Sequence, residues 1–145
     1  ERRIAKLLDS STTGLPAFLA EDPGLNSGLM ILQYSAAAAI SEIRATLGPA
    51  TATNIVVSGQ QEDHVSMGAT ACWLLVQSIS NAASVIAAEM ISASIALDLR
   101  TTDIGPNLQP YLNQIRSVVP VEHGDVRRDI EVRNLIESIC DGSYN

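Results

Sequence analysis

Aromatic residues are scarce in this sequence of 145 residues, where Phe, Trp and Tyr together make up only 3%. Hydrophobic residues nevertheless reach 46%, so the apolar content consists mainly of Ala, Leu, Ile and Val. Side chains of this kind favour close packing of helices. The length is that of one compact domain, so we expect a single structural unit.

Positive charge and cysteine are also in short supply. Nine scattered Lys and Arg residues face 16 Asp and Glu residues, a net charge of −7, which disfavours a nucleic-acid partner. Cys72 and Cys140 lie far apart without a CxxC motif, which favours a reducing compartment. The chain opens on Glu1, Arg2 and Arg3 without a signal-like apolar run. We therefore expect a fragment of a cytoplasmic protein.

The common motifs of nucleotide, metal and serine chemistry are absent. Neither GxGxxG nor GxxxxGK[ST] occurs, so no phosphate-binding loop is predicted. His64 and His123 are too far apart for a local metal motif, and we expect no metal ion. Ser58 and Ser66 flank His64 without a GxSxG motif, so we expect both serines to be structural.

Pro and Gly divide the chain into helical segments, and no stretch alternates like a multi-stranded sheet. We expect an all-α fold, a long-helix bundle, over residues 1–145 as a single helical unit. Its parts would be a loop at 11–24, a helix at about 25–47, a polar loop at about 54–66, a long helix at about 67–100, a turn at 101–109 and two shorter helices to 140.

The long helix is apolar enough to raise the question of a membrane. Only Glu89 is charged between Met67 and Leu97, and about 20 apolar residues can span a bilayer. Gln77, Asn81 and several serines interrupt the stretch, however, and lipid offers such groups no partners. We expect a central bundle helix and no membrane partner.

Amide, carboxylate and imidazole groups crowd together at residues 60–68, just before this helix. One interpretation is that Asp63 or Ser66 caps the helix while the other side chains are solvated. The other is that neighbouring side chains bind a ligand near the unpaired N–H groups of the helix start. The residue pattern alone leaves both open.

The stretch QEDHVSMG at residues 61–68 resembles, nearly letter for letter, a signature of histidine ammonia-lyases within the aromatic amino acid ammonia-lyase family. Other stretches similar to this family follow the same order: GLP at 14–16, FL at 18–19, DPGLNSG at 22–28 and ALDLR at 96–100. The resemblance is good from residue 1 to about residue 100 and weak beyond it.

The resemblance implies an L-aspartase-like fold in which helices of four subunits form one bundle and share the active sites. It also implies elimination of ammonia from an aromatic amino acid by 4-methylidene-imidazol-5-one (MIO), an electrophile formed from an internal Ala-Ser-Gly. That tripeptide and the family's catalytic tyrosine segment do not occur in this chain. We therefore expect the chain to be inactive alone and to need the remainder of the lyase, in a homotetramer.

Glu62 matches the acidic position that in histidine lyases faces the imidazole of the substrate, where phenylalanine lyases tend to have Gln. It is our first candidate as a catalytic and substrate-binding residue, because a carboxylate can accept a hydrogen bond from an imidazole N–H. Gln61, at a position where the family usually has an amide, is the second substrate-binding candidate.

These matches predict conversion of L-histidine to urocanate and ammonia. Two departures are visible: Gly59 and Gln60 stand where histidine lyases usually have Ala-Asn, and Ala17 stands where Pro is common. Related tyrosine lyases and aminomutases also keep a Glu-Asp pair here, so a tyrosine ammonia-lyase or 2,3-aminomutase is an alternative. A non-catalytic helical assembly module is another.

Overall fold

The computed structural model of the chain describes residues 1–100 and 103–144. Its helices are α1 (Arg2–Leu7), α2 (Ser10–Thr13), α3 (Met30–Ala45), α4 (Gly68–Asp98), α5 (Gln109–Arg116) and α6 (Asp129–Cys140). Short 3-10 turns lie at Ala17–Leu19, Ala50–Thr53 and Ser58–Gln60. The described residues form no β-strand, only isolated bridges. The all-α class is confirmed.

Helix α4 is the centre of the fold, because α1, α3, α5 and α6 all pack against it. Thirty-one residues long, it spans roughly 46 Å at about 1.5 Å per residue. Its buried residues are small or β-branched, which lets neighbouring helices come close; they are Ala83, Val85, Ala87, Ala88, Ile91, Ser92, Ser94 and Ala96. Ile4, Val119 and Leu135 are fully buried in the same core.

Polar groups in the C-terminal part of α4 find partners within the chain. The buried Ser92 and Ser94 donate their hydroxyls to backbone carbonyls about one turn earlier, at 2.8 and 2.9 Å. Glu89 forms a two-point ion pair with Arg3 of α1. By length and composition alone α4 could cross a membrane. Satisfied polar groups of this kind are instead typical of a helix inside a protein core.

Helix α3 begins at Met30, later than the start at about residue 25 that the sequence predicts. The chain before it crosses the 3-10 turn at Ala17–Leu19, where the N–H of Leu29 donates to the carbonyl of Phe18 at 2.9 Å. Gly28 has a φ of 54°, and a Cβ there would lie 2.5 Å from that same carbonyl oxygen. This close approach of the two backbone segments therefore requires glycine at position 28, and α3 begins only after it.

Other boundaries differ less. The loop expected at 11–24 opens with the last three residues of α2, because Asp9 accepts a hydrogen bond from the N–H of Ser11 at 2.9 Å and caps that turn. The long helix expected at about 67–100 extends over Gly68–Asp98. Residues 101 and 102, which open the expected turn, and residue 145 lie outside the described part.

The segment between α5 and α6 docks on the loop that precedes α3. The carboxylate of Asp125 accepts the backbone N–H groups of residues 27 and 28, at 3.0 and 2.9 Å. In the other direction, Glu21 accepts the N–H of Gly124 at 3.1 Å and pairs with His123. These contacts hold the segment that precedes α6 against the loop that precedes α3.

Candidate functional site

The polar loop (residues 54–66) folds back on itself ahead of α4. Val57 and Glu62 exchange two backbone hydrogen bonds, of 3.0 and 3.3 Å. Outside this pair, the side chain of Asn54 reaches the backbone of Val65: its Oδ1 accepts from the N–H at 3.0 Å, and its Nδ2 donates to the carbonyl oxygen. The backbone around Glu62 is therefore held by two sets of hydrogen bonds, one between residues 57 and 62 and one between residues 54 and 65.

The tip of the polar loop has a left-handed backbone at three successive residues. The φ angles are 55° at Ser58, 61° at Gly59 and 73° at Gln60. Glycine adopts this region freely, whereas a residue with a Cβ pays roughly 1–3 kcal/mol. Backbone of this kind persists where surrounding contacts hold it, and it clusters at ligand-binding sites.

Four polar side chains on this backbone are exposed to solvent. Gln61, Glu62, Asp63 and His64 are all exposed. Across the described residues, none of these side chains has a hydrogen-bond partner. Together they offer an amide, two carboxylates and an imidazole, which can accept or donate hydrogen bonds to a polar substrate. The structure thus brings the two predicted site residues, Glu62 and Gln61, into one exposed loop.

In the described part of the chain, α4 starts without a side-chain cap, and its N-cap residue is Met67. The hydroxyl of Ser66 accepts the N–H of Gly68 at 3.3 Å. Asp63, the other predicted cap, makes no such bond to any described residue. The contact of Ser66 is a local turn ahead of the helix, so the prediction that Asp63 or Ser66 caps α4 is wrong, and the side chain of Glu62 is uninvolved as well.

A second polar region lies near the opposite end of α4, around a cavity of about 220 Å³. Its charged groups pair with one another: Arg116 with Asp98, and Arg128 with both Glu122 and Glu131. Burial raises the pKa of Glu131. The pair of Arg116 and Asp98 joins α5 to α4, and the pairs of Arg128 hold the segment between α5 and α6 to the start of α6, so their role is structural. No residue of the polar loop lines this cavity.

No metal cluster stands beside these groups: among residues 1–100 and 103–144, no three His, Cys, Asp or Glu side chains are placed to hold an ion.

Sequence reasoning missed the contact of Asn54. An Asn at the end of the stretch ATATN signals a side-chain bond to nearby backbone. Its partner, however, is eleven residues away, and no local pattern identifies a partner at that separation. The left-handed residues at the tip were also not predicted, since only Gly59 carries a signal for them.

The comparisons with known proteins agree with this geometry. A family model described as aromatic amino acid lyase matches residues 1–117. The histidine ammonia-lyase of Deinococcus radiodurans is 42% identical over 120 residues, covering 83% of this chain and 23% of that protein. That of Staphylococcus aureus is 42% identical over 142 residues, covering 97% of this chain and 27% of that protein.

Solved structures give the same result. The histidine ammonia-lyase of Trypanosoma cruzi superposes with a TM-score of 0.91 at 34% identity, covering 98% of this chain and 28% of that one. Tyrosine aminomutase from Streptomyces globisporus also has a TM-score of 0.91, at 29% identity, with 99% and 28% covered. The chain spans about a quarter of the length of the curated relatives it matches. It belongs to the aromatic amino acid lyase family.

Proposed function

We propose that the chain contributes the substrate-facing loop and core helices of an ammonia-lyase that converts L-histidine to urocanate and ammonia. The observation that carries the proposal is Glu62, whose backbone is fixed by two hydrogen bonds to Val57 while its carboxylate is exposed and has no partner in the described chain. The curated relatives named histidine ammonia-lyase, at 42% identity, support the choice of substrate.

In this proposal the carboxylate of Glu62 accepts a hydrogen bond from an imidazole N–H of the substrate. A charged acceptor strengthens that bond and favours the protonated imidazole, which a neutral amide would not do. Gln61 adds an amide that can donate to or accept from the same ligand. Its own N–H donates to the carbonyl of Ser58 at 3.2 Å, so its backbone is fixed as well.

The electrophile of the reaction has to come from elsewhere. The family is of the MIO-dependent kind, and MIO supplies the electrophilic centre that activates the amino acid for loss of ammonia. The 145 residues contain no Ala-Ser-Gly, so they do not fit its formation. We therefore assign this chain a role in binding and orienting the substrate, and no step through the electrophile.

Two related enzymes remain alternatives, a tyrosine ammonia-lyase and a 2,3-aminomutase. The observation that favours them is the tyrosine aminomutase structure, which matches this chain with the same TM-score of 0.91 as a histidine ammonia-lyase. A non-catalytic assembly module would use the apolar face of α4 instead of the polar loop. In every version we propose a cytoplasmic homotetramer that includes the remainder of the protein.

Replacing Glu62 by Gln in the full-length enzyme tests the proposal. The change keeps the size of the side chain and removes its charge, so kcat/KM for L-histidine should fall at least about tenfold, the equivalent of ~1.4 kcal/mol. Thermal melting should be unaffected, because the exposed side chain makes no hydrogen bond or ion pair within the described chain.

The matched control is Glu137→Gln, which removes one exposed negative charge from α6 and should leave kcat/KM unchanged. An unaltered kcat/KM in folded Glu62→Gln enzyme would refute the substrate role of Glu62.

A further inference from the structure

We propose that Asn54 is a positioning residue, whose side-chain amide holds the polar loop in the shape that presents Glu62. The inference rests on the proposed function, since it assigns a residue that acts through Glu62. Asn54 itself lies at the base of the loop and is only partly exposed, so it acts on the loop backbone rather than on a ligand.

The geometry of the contact carries the inference. One amide group satisfies both backbone groups of Val65, with Oδ1 accepting from the N–H at 3.0 Å and Nδ2 donating to the carbonyl. A side chain that mimics a β-bridge in this way closes the loop across eleven residues. Glu62 lies inside the closed segment, three residues before Val65.

The two bonds of Asn54 oppose the relaxation of a strained backbone at the tip of the polar loop. Ser58 and Gln60 keep left-handed backbone that residues with a Cβ rarely adopt. Inside the loop, only the two backbone bonds between Val57 and Glu62 and the bond from Gln61 to Ser58 hold this tip closed. Without Asn54 the strained tip can relax, and the first residue to move is Glu62, because it is half of the inner pair.

Thr53 provides a matched control. It is the residue before Asn54 and is exposed, and its hydroxyl donates to the carbonyl of Ala50 at 3.0 Å, within its own 3-10 turn. Thr53→Ala removes one local hydrogen bond without touching the polar loop. Asn54→Ala removes the two bonds that close it.

The first measurement is peptide-resolved hydrogen exchange in the full-length enzyme. Asn54→Ala should speed exchange of the amides of Glu62 and Val65, since the opening of the loop becomes easier. Thr53→Ala should leave both amides at the wild-type rate. Equal exchange of these amides in Asn54→Ala and wild-type enzyme would overturn the inference whatever the substrate is.

The second measurement is a double-mutant cycle with Glu62→Gln, read as kcat/KM for L-histidine. Misplacing a binding group by about 1 Å can cost up to about a hundredfold, so Asn54→Ala alone should lower kcat/KM by at least about tenfold. In the Glu62→Gln background the same change should add less than about threefold, because the residue that it positions no longer acts. Equal losses in both backgrounds would show a general structural effect and overturn the positioning role.

Failure of the proposed function looks different. In that case Glu62→Gln alone leaves kcat/KM unchanged, and the exchange experiment alone decides whether Asn54 holds the loop: faster exchange supports it, and unchanged exchange overturns it.

Discussion

The two halves of α4 face different surroundings although both are apolar. Residues 82–98, the core half, contain every buried residue of the helix, and most of these belong to one buried cluster with Ile4 of α1, Ala36 of α3 and Leu135 of α6. None of residues 68–81, the loop half, is buried, and Trp73 and Val76 are 60% and 65% exposed.

The difference separates the part of α4 that stabilises the chain's own fold from the part that offers a surface to other polypeptides. The polar groups of the core half have hydrogen-bond or ion-pair partners within the chain, and most of its apolar side chains lie in or against the hydrophobic core. The loop half presents an apolar surface directly after the polar loop, and exposed apolar surface of this extent is typical of an interaction site. The end of α4 that follows the polar loop is therefore the end at which we expect contacts with the rest of the protein.

The largest expected effect tests the core half. Ile91 is fully buried, so Ile91→Ala should lower the free energy of unfolding of this chain by about 2–5 kcal/mol. Ile79, at 53% exposure in the loop half, is the matched control, and Ile79→Ala should change it by less than about 0.5 kcal/mol. Both changes have the same effect on helix propensity, so their difference reports burial. Equal losses in chemical denaturation would show that the two halves do not differ.

The next prediction concerns the loop half. The chain should self-associate at micromolar concentration, because Trp73 and Val76 are neighbours on an exposed helix surface. Placing Glu at both positions should shift sedimentation toward the monomer. Ile130→Glu, which adds a charge at an exposed apolar position on α6, should not. A wild-type chain that stays monomeric would contradict the shared-bundle interpretation.

The smallest expected effect is a pH dependence at the far end of the core half. His123 and Glu21 form a hydrogen bond. It raises the pKa of His123 above its usual 6.5 and lowers the pKa of Glu21 below its usual 4.5. The histidine contribution is complete below the unfolded pKa and is lost as pH rises through the folded one; the glutamate contribution is lost as pH falls.

The pair should therefore stabilise the chain most at about pH 5.5, between the two usual pKa values, and little at about pH 9. The Tm difference between wild type and His123→Gln should shrink over that range. The exposure of both groups keeps it small. A constant difference would assign the stabilisation to the contacts of Asp125 instead.

Much of the fold follows from the sequence, and less of the site does. Apolar content and the lack of breaks between Met67 and Leu97 predict α4, and the family signature singles out Glu62 and Gln61, whose role in substrate binding stays a prediction. The sequence does not show that the loop half of α4 is exposed, since its apolar residues look like those of the core half. The partner of Asn54 and the glycine crossing at Gly28 depend on contacts distant in sequence, which local patterns do not encode.

The most direct test of the central claim is the substrate preference of the full-length enzyme. If Glu62 binds an imidazole, Glu62→Gln should lower the ratio of kcat/KM for histidine to kcat/KM for phenylalanine at least about tenfold, because a neutral side chain removes the charged acceptor and leaves an uncharged ring unaffected. An unchanged ratio, whether both activities persist or both fall by the same factor, would contradict the account.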